Sequence, residues 1–389
     1  MPNLDQSFTL PALSLVHWYT GHPLSVTIPP PPLSTTKHLT LVGHGNVSLD
    51  IARLLLTNPN SLSSFDIPQH VVEHMKSSTI EHINIISRRG PAQVAFTAKE
   101  LREMMNLPSA ALTPIPSALF DDLSTPNLTR QQTRVLDLMR NGSKARFGTT
   151  KKTWSLEFFR TPRSSEMFKS GAKRIIFDVN KLDEQGHARP TGQTETQQTD
   201  LVVTSLGYHS DAFSASGPST DRISSPQAVA QEAQWYDSRL GRVRTSAYGR
   251  VIDVEGRRVH NVYASGWAAN GARGVLASTM YDAYNMADAM AEEHRTGEKS
   301  GIANGGPEPV DAGTTPFKSP VYPLTSWENL PSSEHVGTYP EWLEKAARGK
   351  RIVTYDDWQR INDEEIRRGK EQGKERERMT WKEVDAFLA

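Results

Sequence analysis

A glycine turn, Gly43-His44-Gly45-Asn46-Val47-Ser48, is the feature that most constrains how this chain can fold. It follows an apolar run at residues 38–42, which predicts a buried strand, and it precedes the apolar spacing of an amphipathic helix. Gly43 permits the tight turn, and Gly45 lets the backbone approach a pyrophosphate closely. The helix N-terminus adds free N–H groups and a partial positive charge. The glycine pattern alone is a weak signal, but between a strand and a helix it predicts a dinucleotide site.

Two adjacent arginines, Arg88 and Arg89, follow the next apolar run, Ile83 to Ile86. An NAD-selective site usually carries an acid at the end of this second strand, where it accepts hydrogen bonds from the ribose 2′-hydroxyl. An acid would repel a 2′-phosphate, whereas guanidinium groups hold one well. The pair therefore favours NADP. The alternative is that two arginines simply end a strand in water.

Strand and helix patterns alternate along the first half of the chain, which indicates an α/β domain. Further helices are predicted at "TAKELREMMNL", where Thr97 and Glu100 fit a capping box, and at residues 130–140. Later strands are predicted at "WSLEFF", "RIIFDV", "DLVVTSLGY", "GRVIDV" and "NVYASGW". A long amphipathic helix is predicted after Gly274.

Composition narrows the range of partners. Lysine plus arginine and aspartate plus glutamate both number 44 in the 389 residues, so no overall field attracts nucleic acid. The absence of cysteine excludes disulfides, thiolate metal sites and cysteine nucleophiles. No apolar run approaches the roughly 18 residues that a membrane-spanning helix needs. The sequence therefore predicts no nucleic-acid partner, no metal site and no transmembrane segment, and any anion binding must be local.

Three segments together resemble the adrenodoxin reductase family, the mitochondrial-type ferredoxin–NADP reductases: "LVGHGNVSLDIARLLL", "SRRGPAQVAFTAKELREM" and "SGWAANGARGVLASTMYDA". The resemblance runs from about Leu13 to Gly297 and resumes in the tail. It implies a Rossmann-like NADP domain, an FAD-binding Rossmann-like domain, and FAD and NADP as cofactors. The implied activity is hydride transfer from NADPH to FAD, followed by single-electron transfer to a [2Fe–2S] ferredoxin. The implied location is mitochondrial, with peripheral association with the inner membrane.

The resemblance also implies site residues. NADP contacts are expected at His44, Gly45, Asn46, Val47, Arg88, Arg89 and Glu100. The family usually has glutamine where His44 stands, so the contact expected there is from the backbone. Glu100 has the capping box as its alternative role. Flavin contacts are expected at Trp267, Gly274, Val275 and Leu276, with a tryptophan buried in a core as the alternative for Trp267.

Basic residues at Arg102, Arg130 and Arg134 match those on which an acidic ferredoxin docks in this family. Their spacing puts Arg130 and Arg134 on one face of a helix. The alternative is that all three are solvated surface charges.

The resemblance divides the chain into three predicted parts. Residues 1–209 form the NADP-binding domain. Residues 210–330 form the returning portion of the FAD-binding domain, with a polar insertion at 210–234 and a Gly/Pro/Thr-rich linker at 300–320. Residues 331–389 form a charged helical tail, which we interpret as a solvated helical face.

A flavoprotein of this type needs a second glycine loop for the flavin, which in the family precedes the segment "LVHWYTGHP". The chain has one GxGxx[GAS] pattern in strand–turn–helix context. We therefore expect it to correspond to the C-terminal two thirds of such a reductase, with an incomplete FAD-binding domain. The alternative function is that of a non-catalytic NADP-binding remnant.

Overall fold

The computed structural model describes residues 3–23, 25, 29–121, 128–208, 235–272, 276–296, 348 and 351–389. The chain divides into two compact units, Met1–Leu206 with Tyr339–Ala389, and Gly207–Thr338. The C-terminal tail therefore belongs to the first unit. The predicted insertion and linker lie outside the described residues.

Nine strands of the first unit lie within the described residues. They are β1 (Thr9–Pro11), β2 (His38–Val42), β3 (His82–Ile86), β4 (Ala110–Leu112), β5 (Lys152–Glu157), β6 (Arg160–Met167), β7 (Lys173–Leu182), β8 (Ala188–Gln198) and β9 (Leu201–Thr204). The order β1-β9-β2-β3-β5-β4 makes one sheet in which each neighbouring pair is parallel. Strands β6, β7 and β8 form a separate antiparallel sheet. The parallel sheet confirms the predicted α/β, Rossmann-like class.

Helices and the antiparallel sheet cover the two faces of the parallel sheet. The helices are α1 (Ala12–Thr20), α2 (Asn46–Leu56), α3 (Pro59–Leu62), α4 (Gln69–Lys76), α5 (Ala98–Met105), α6 (Ala118–Asp121) and α7 (Arg130–Asn141). Leu41 and Ile85 pack with Leu101 of α5 in the main core. Their strand neighbours Val42 and Ile86 belong to a second core with residues of β7. Both faces are thus buried, which explains why most residues of β2 and β3 are apolar.

The second unit contains short hairpin strands and two helices within its described residues. They are β10 (Tyr236–Asp237), β11 (Arg242–Val243), β12 (Arg250–Ile252), β13 (Arg258–Tyr263), α8 (Gly266–Asn270) and α9 (Leu276–Thr296). Helix α9 confirms the predicted long helix, and its side chains Met280, Tyr281 and Tyr284 are at least half exposed. None of the helices in the described ranges combines the length and apolarity that crossing a membrane requires.

The tail forms helices α10 (Tyr355–Glu371) and α11 (Trp381–Leu388). Its interpretation as a solvated helical face is wrong for the segment between them, which contacts the loop before α4. The Lys374 side chain is buried, donates from Nζ to the Ile67 carbonyl (3.1 Å) and pairs with Glu377. Arg378 pairs with Asp66 at 2.6 Å. The tail cations Lys374 and Arg378 therefore bind a carbonyl and a carboxylate of the loop before α4.

Candidate dinucleotide site

The glycine turn and the arginine turn leave the parallel sheet side by side. Val42 of β2 pairs with Ile86 of β3, so both turns begin at the carboxyl edge of neighbouring strands. The Gly43 N–H donates to the Ile86 carbonyl at 2.8 Å, which joins the start of the two turns. In open α/β sheets this edge is where ligands bind.

Gly43 and Gly45 differ in the space around them. Gly43 has a φ of +127°, and a Cβ there would lie 2.1 Å from the Ser205 carbonyl oxygen, so the fold itself requires glycine. Gly45 has a φ of −105°, and a Cβ there would meet no atom within 4 Å. The Ser48 hydroxyl donates to the Gly43 carbonyl at 2.5 Å and closes the turn. The turn therefore leaves open space over Gly45.

Helix α2 begins without a side-chain cap, because its N-cap residue is Gly45. The N–H groups of Asn46 and Val47 precede the first helical bond, which Ser48 donates to the Gly45 carbonyl at 3.1 Å. The Asn46 side chain does not cap α2, because its Oδ1 accepts a hydrogen bond from the Thr97 N–H at 2.9 Å. An eleven-residue helix with free N-terminal N–H groups offers a positive partial charge to an anion.

The His44 side chain points into the core. Its Nε2 lies 2.7 Å from the Ile85 carbonyl, and its ring packs edge-on against Phe158 at 5.1 Å between centroids. Burial lowers the pKa of His44 to about 4, so the imidazole is neutral at pH 7 and Nε2 donates to the carbonyl. The His44 carbonyl accepts from the Ala95 N–H at 2.9 Å. The residue thus contributes only backbone to the surface of the turn.

Arg88 and Arg89 make no ion pair with any described residue. Arg88 is exposed and Arg89 is half-buried. Burial, together with the charge of Arg88, lowers the pKa of the Arg89 guanidinium. Two like charges are therefore held together at the sheet edge without a protein anion in the described part of the chain, an arrangement that an added anion would stabilise.

The predicted capping box at the start of α5 is wrong. Thr97 is the N-cap residue, but its side chain makes no capping bond. In a capping box the Glu100 carboxylate would accept a hydrogen bond from the Thr97 N–H. That N–H donates instead to Asn46 Oδ1. Glu100 Oε2 is buried and has no hydrogen-bond partner among the described residues. Such an orphaned oxygen is costly unless a ligand donates to it.

Glu100 also lies near a second acid. Burial raises the pKa of Asp50, Arg53 opposes that shift, and the charge of Glu100 adds to it. Asp50 is the fifth residue of α2 and Glu100 is the third residue of α5, and the bond from the Thr97 N–H to Asn46 joins the starts of the two helices. The charges of the two acids therefore interact near the start of α2.

The three arginines predicted to dock a partner are exposed. Arg102 lies in the last turn of α5, and Arg130 and Arg134 lie in the first turns of α7, which packs against α5. None of the three makes an ion pair with a described residue. Their docking role stays a prediction.

Trp267 in the second unit is 49% exposed, so the alternative of a tryptophan buried in a core is wrong. Helix α8 buries Gly266 and Ala269 instead, which leaves the indole on its outer side. The indole stacks on Tyr208, with 5.5 Å between ring centroids and 25° between planes. Leu276 begins α9, whereas Gly274 and Val275 lie outside the described residues.

Known proteins with related sequences match nearly the whole chain. No protein-family model matches the chain. Human mitochondrial NADPH:adrenodoxin oxidoreductase is 30% identical over 383 residues, covering 95% of this chain and 66% of the human protein. The fruit fly (Drosophila melanogaster) protein of the same name is 30% identical over 374 residues, with the same two coverages. The chain belongs to the adrenodoxin reductase family. This adrenodoxin reductase family member spans 66% of the length of both relatives.

A solved structure is similar to this adrenodoxin reductase family member in its fold. It is Mycobacterium tuberculosis FprA in complex with NADPH, with a TM-score of 0.70 at 22% identity. The match covers 98% of this chain and 73% of that one. The likeness agrees with the α/β, Rossmann-like architecture described above.

Proposed function

We propose that this member of the adrenodoxin reductase family is an FAD-dependent NADPH oxidoreductase that passes single electrons to a [2Fe–2S] ferredoxin. One observation carries the proposal: the glycine turn and the two arginines, which make no ion pair within the described ranges, leave neighbouring parallel strands at the same edge. The relatives named above are NADPH:adrenodoxin oxidoreductases, and the similar solved structure is a complex with NADPH.

The residues at this edge fit NADP(H). The open space over Gly45 and the free N–H groups of Asn46 and Val47 suit a pyrophosphate. Arg88 and Arg89 suit the 2′-phosphate, because guanidinium groups donate in a fork that matches phosphate oxygens.

Glu100 adds an acceptor to the same site. Its buried Oε2 would accept a hydrogen bond from a hydroxyl or amide of the bound cofactor. The pairing would remove the cost of leaving that oxygen without a partner.

The flavin role rests on the second unit. Trp267 presents an exposed ring, and α9 begins at Leu276, next to Gly274 and Val275, so we assign flavin contacts to these four positions. When bound, nicotinamide and flavin supply the hydride and electron chemistry themselves. The residues of the chain bind and orient the two rings, and no general acid or base is required of them.

The partner surface is formed by Arg102, Arg130 and Arg134. Three exposed cations on two packed helices, without an ion pair to any residue that the structure describes, would attract an acidic ferredoxin and raise its association rate. We place the protein in mitochondria by analogy with its eukaryotic relatives, which are described as mitochondrial. Its peripheral association with the inner membrane stays a prediction from the family resemblance.

Absorption spectroscopy of the purified protein tests the proposal. After incubation with FAD and removal of the free cofactor, we expect flavin bands at about 450 nm that NADPH bleaches under anaerobic conditions. Bleaching by NADPH but not by NADH would also support the 2′-phosphate assignment. A colourless protein that still binds NADPH would instead identify a non-catalytic NADP-binding remnant, and a protein that binds neither cofactor would refute the proposal.

A further inference from the structure

The arginine turn is held from outside the parallel sheet. The Arg89 carbonyl accepts from the Ser87 hydroxyl at 2.7 Å and from the Phe159 N–H at 3.3 Å. The Arg88 carbonyl accepts from the Asn180 side chain, Nδ2 to O, at 3.1 Å. Both arginine carbonyls therefore accept hydrogen bonds. Two of the three donors, Phe159 and Asn180, lie outside the parallel sheet.

Asn180 is built into its strand so that its amide can reach this turn. It lies near the end of β7, it is 6% exposed, and the strand register shifts just before it. Its N–H donates to the Phe159 carbonyl at 2.7 Å. Its Nδ2 donates to the Thr161 hydroxyl at 2.8 Å as well as to Arg88, so both hydrogens of the amide are used. An amide with two fixed acceptors has one orientation.

We infer that Asn180 is a positioning residue that sets the preference for the 2′-phosphate, an inference that rests on the proposed NADP site. Two neighbouring guanidinium groups repel each other and lack a protein anion among the described residues, so a free turn would separate them. Holding the Arg88 carbonyl fixes the backbone from which both side chains project. The conformational entropy of the turn is then lost during folding, so ordering the turn does not weaken cofactor binding.

The bond joins residues 92 positions apart. Asn180 belongs to the antiparallel sheet, outside the glycine turn and outside the arginine segment. The inference therefore assigns this sheet a role in cofactor choice.

The test compares 2′,5′-ADP with 5′-AMP, two probes that differ by the 2′-phosphate. Titration calorimetry of the full chain and of Asn180→Ala should show about three- to tenfold weaker binding of 2′,5′-ADP, with 5′-AMP unchanged. Asn180→Leu keeps the number of side-chain heavy atoms without the donor and should behave in the same way. Ser165→Ala removes a buried hydroxyl from the same sheet, one that accepts from the Asp5 N–H at 2.7 Å, and should change neither affinity.

Two results would overturn the inference. One is an unchanged affinity for 2′,5′-ADP in either Asn180 variant that retains the circular dichroism spectrum of the wild type. The other is an equal loss for both probes, which would indicate a general structural role. A wild-type chain that does not prefer 2′,5′-ADP would refute the proposed NADP site and this inference with it, whereas a wild-type preference with unaffected variants would refute the inference alone.

Discussion

At Gly43 a side chain has no room, whereas at Gly45 the protein leaves space for one. The two glycines therefore serve different purposes, and their alanine variants should separate folding from binding. Gly43→Ala should lower the free energy of unfolding by about 3 kcal/mol or more, because the residue has a positive φ and would clash with the Ser205 carbonyl. Urea unfolding measures this loss.

Gly45→Ala is the matched variant within the same turn. It should change the free energy of unfolding by no more than about 1 kcal/mol, because the backbone angle is allowed and the space is open. It should weaken NADP+ binding by about tenfold or more, because the added methyl group would meet the pyrophosphate. Normal NADP+ affinity in this variant would contradict the placement of the pyrophosphate over Gly45.

The buried imidazole of His44 makes stability depend on pH. Its folded pKa of about 4 lies below the ordinary value near 6.5, so unfolding takes up a proton between these two pH values. The free energy of unfolding should therefore fall as the pH drops from about 6.5 to about 4, by about 3 kcal/mol from this residue.

His44→Gln removes the titrating group and keeps a side chain that can donate to the Ile85 carbonyl. Urea titrations at a series of pH values should show a shallower acid loss for this variant. If the two proteins lost stability in parallel over that range, His44 would not be a neutral, buried imidazole.

At the scale of elements, the tail completes a helix that lies far away in the sequence. Helix α4 has no side-chain cap from its own N-cap residue, Pro68. Glu377 Oε1 instead accepts from the Gln69 N–H at 3.2 Å, and the same carboxylate pairs with the buried Lys374. One tail residue thus caps a helix and neutralises a buried cation.

Glu377→Ala should lower the free energy of unfolding by about 2 kcal/mol, because it removes the cap and leaves Lys374 without its carboxylate. Glu375→Ala is the control, since Glu375 is exposed and its N–H, which the substitution keeps, donates to the Ser64 carbonyl. Equal unfolding curves for the two variants would show that the tail contributes nothing through Glu377.

Element types were predictable where burial dictates the pattern. Strands β2 and β3 and helix α9 follow from apolar runs and helical spacing. Strand β8 carries no such pattern, because nearly all of its side chains are exposed and only its pairing with β7 defines it. The capping box failed for a related reason: a tertiary bond from Asn46 replaced a local one.

At the scale of the whole molecule, the zero formal net charge conceals local sites of one sign. The sequence was sufficient to predict the glycine turn and the arginine pair, and the parallel pairing of β2 with β3 brings them to one edge of the sheet. It was not sufficient to predict Asn180 or the orphaned oxygen of Glu100. Both depend on contacts between segments that are distant in the chain, for which no local pattern exists.

The central claim is that Arg88 and Arg89 bind the 2′-phosphate of NADP. The most direct test measures the dissociation constants of NADP+ and NAD+ for the wild-type chain and for the double variant Arg88→Ala with Arg89→Ala. We expect the double variant to lose at least about a hundredfold in NADP+ affinity, since each charge-assisted bond contributes about 1.5–3 kcal/mol, and to bind NAD+ within about twofold of the wild type. Equal losses for the two cofactors, or none for NADP+, would contradict the claim.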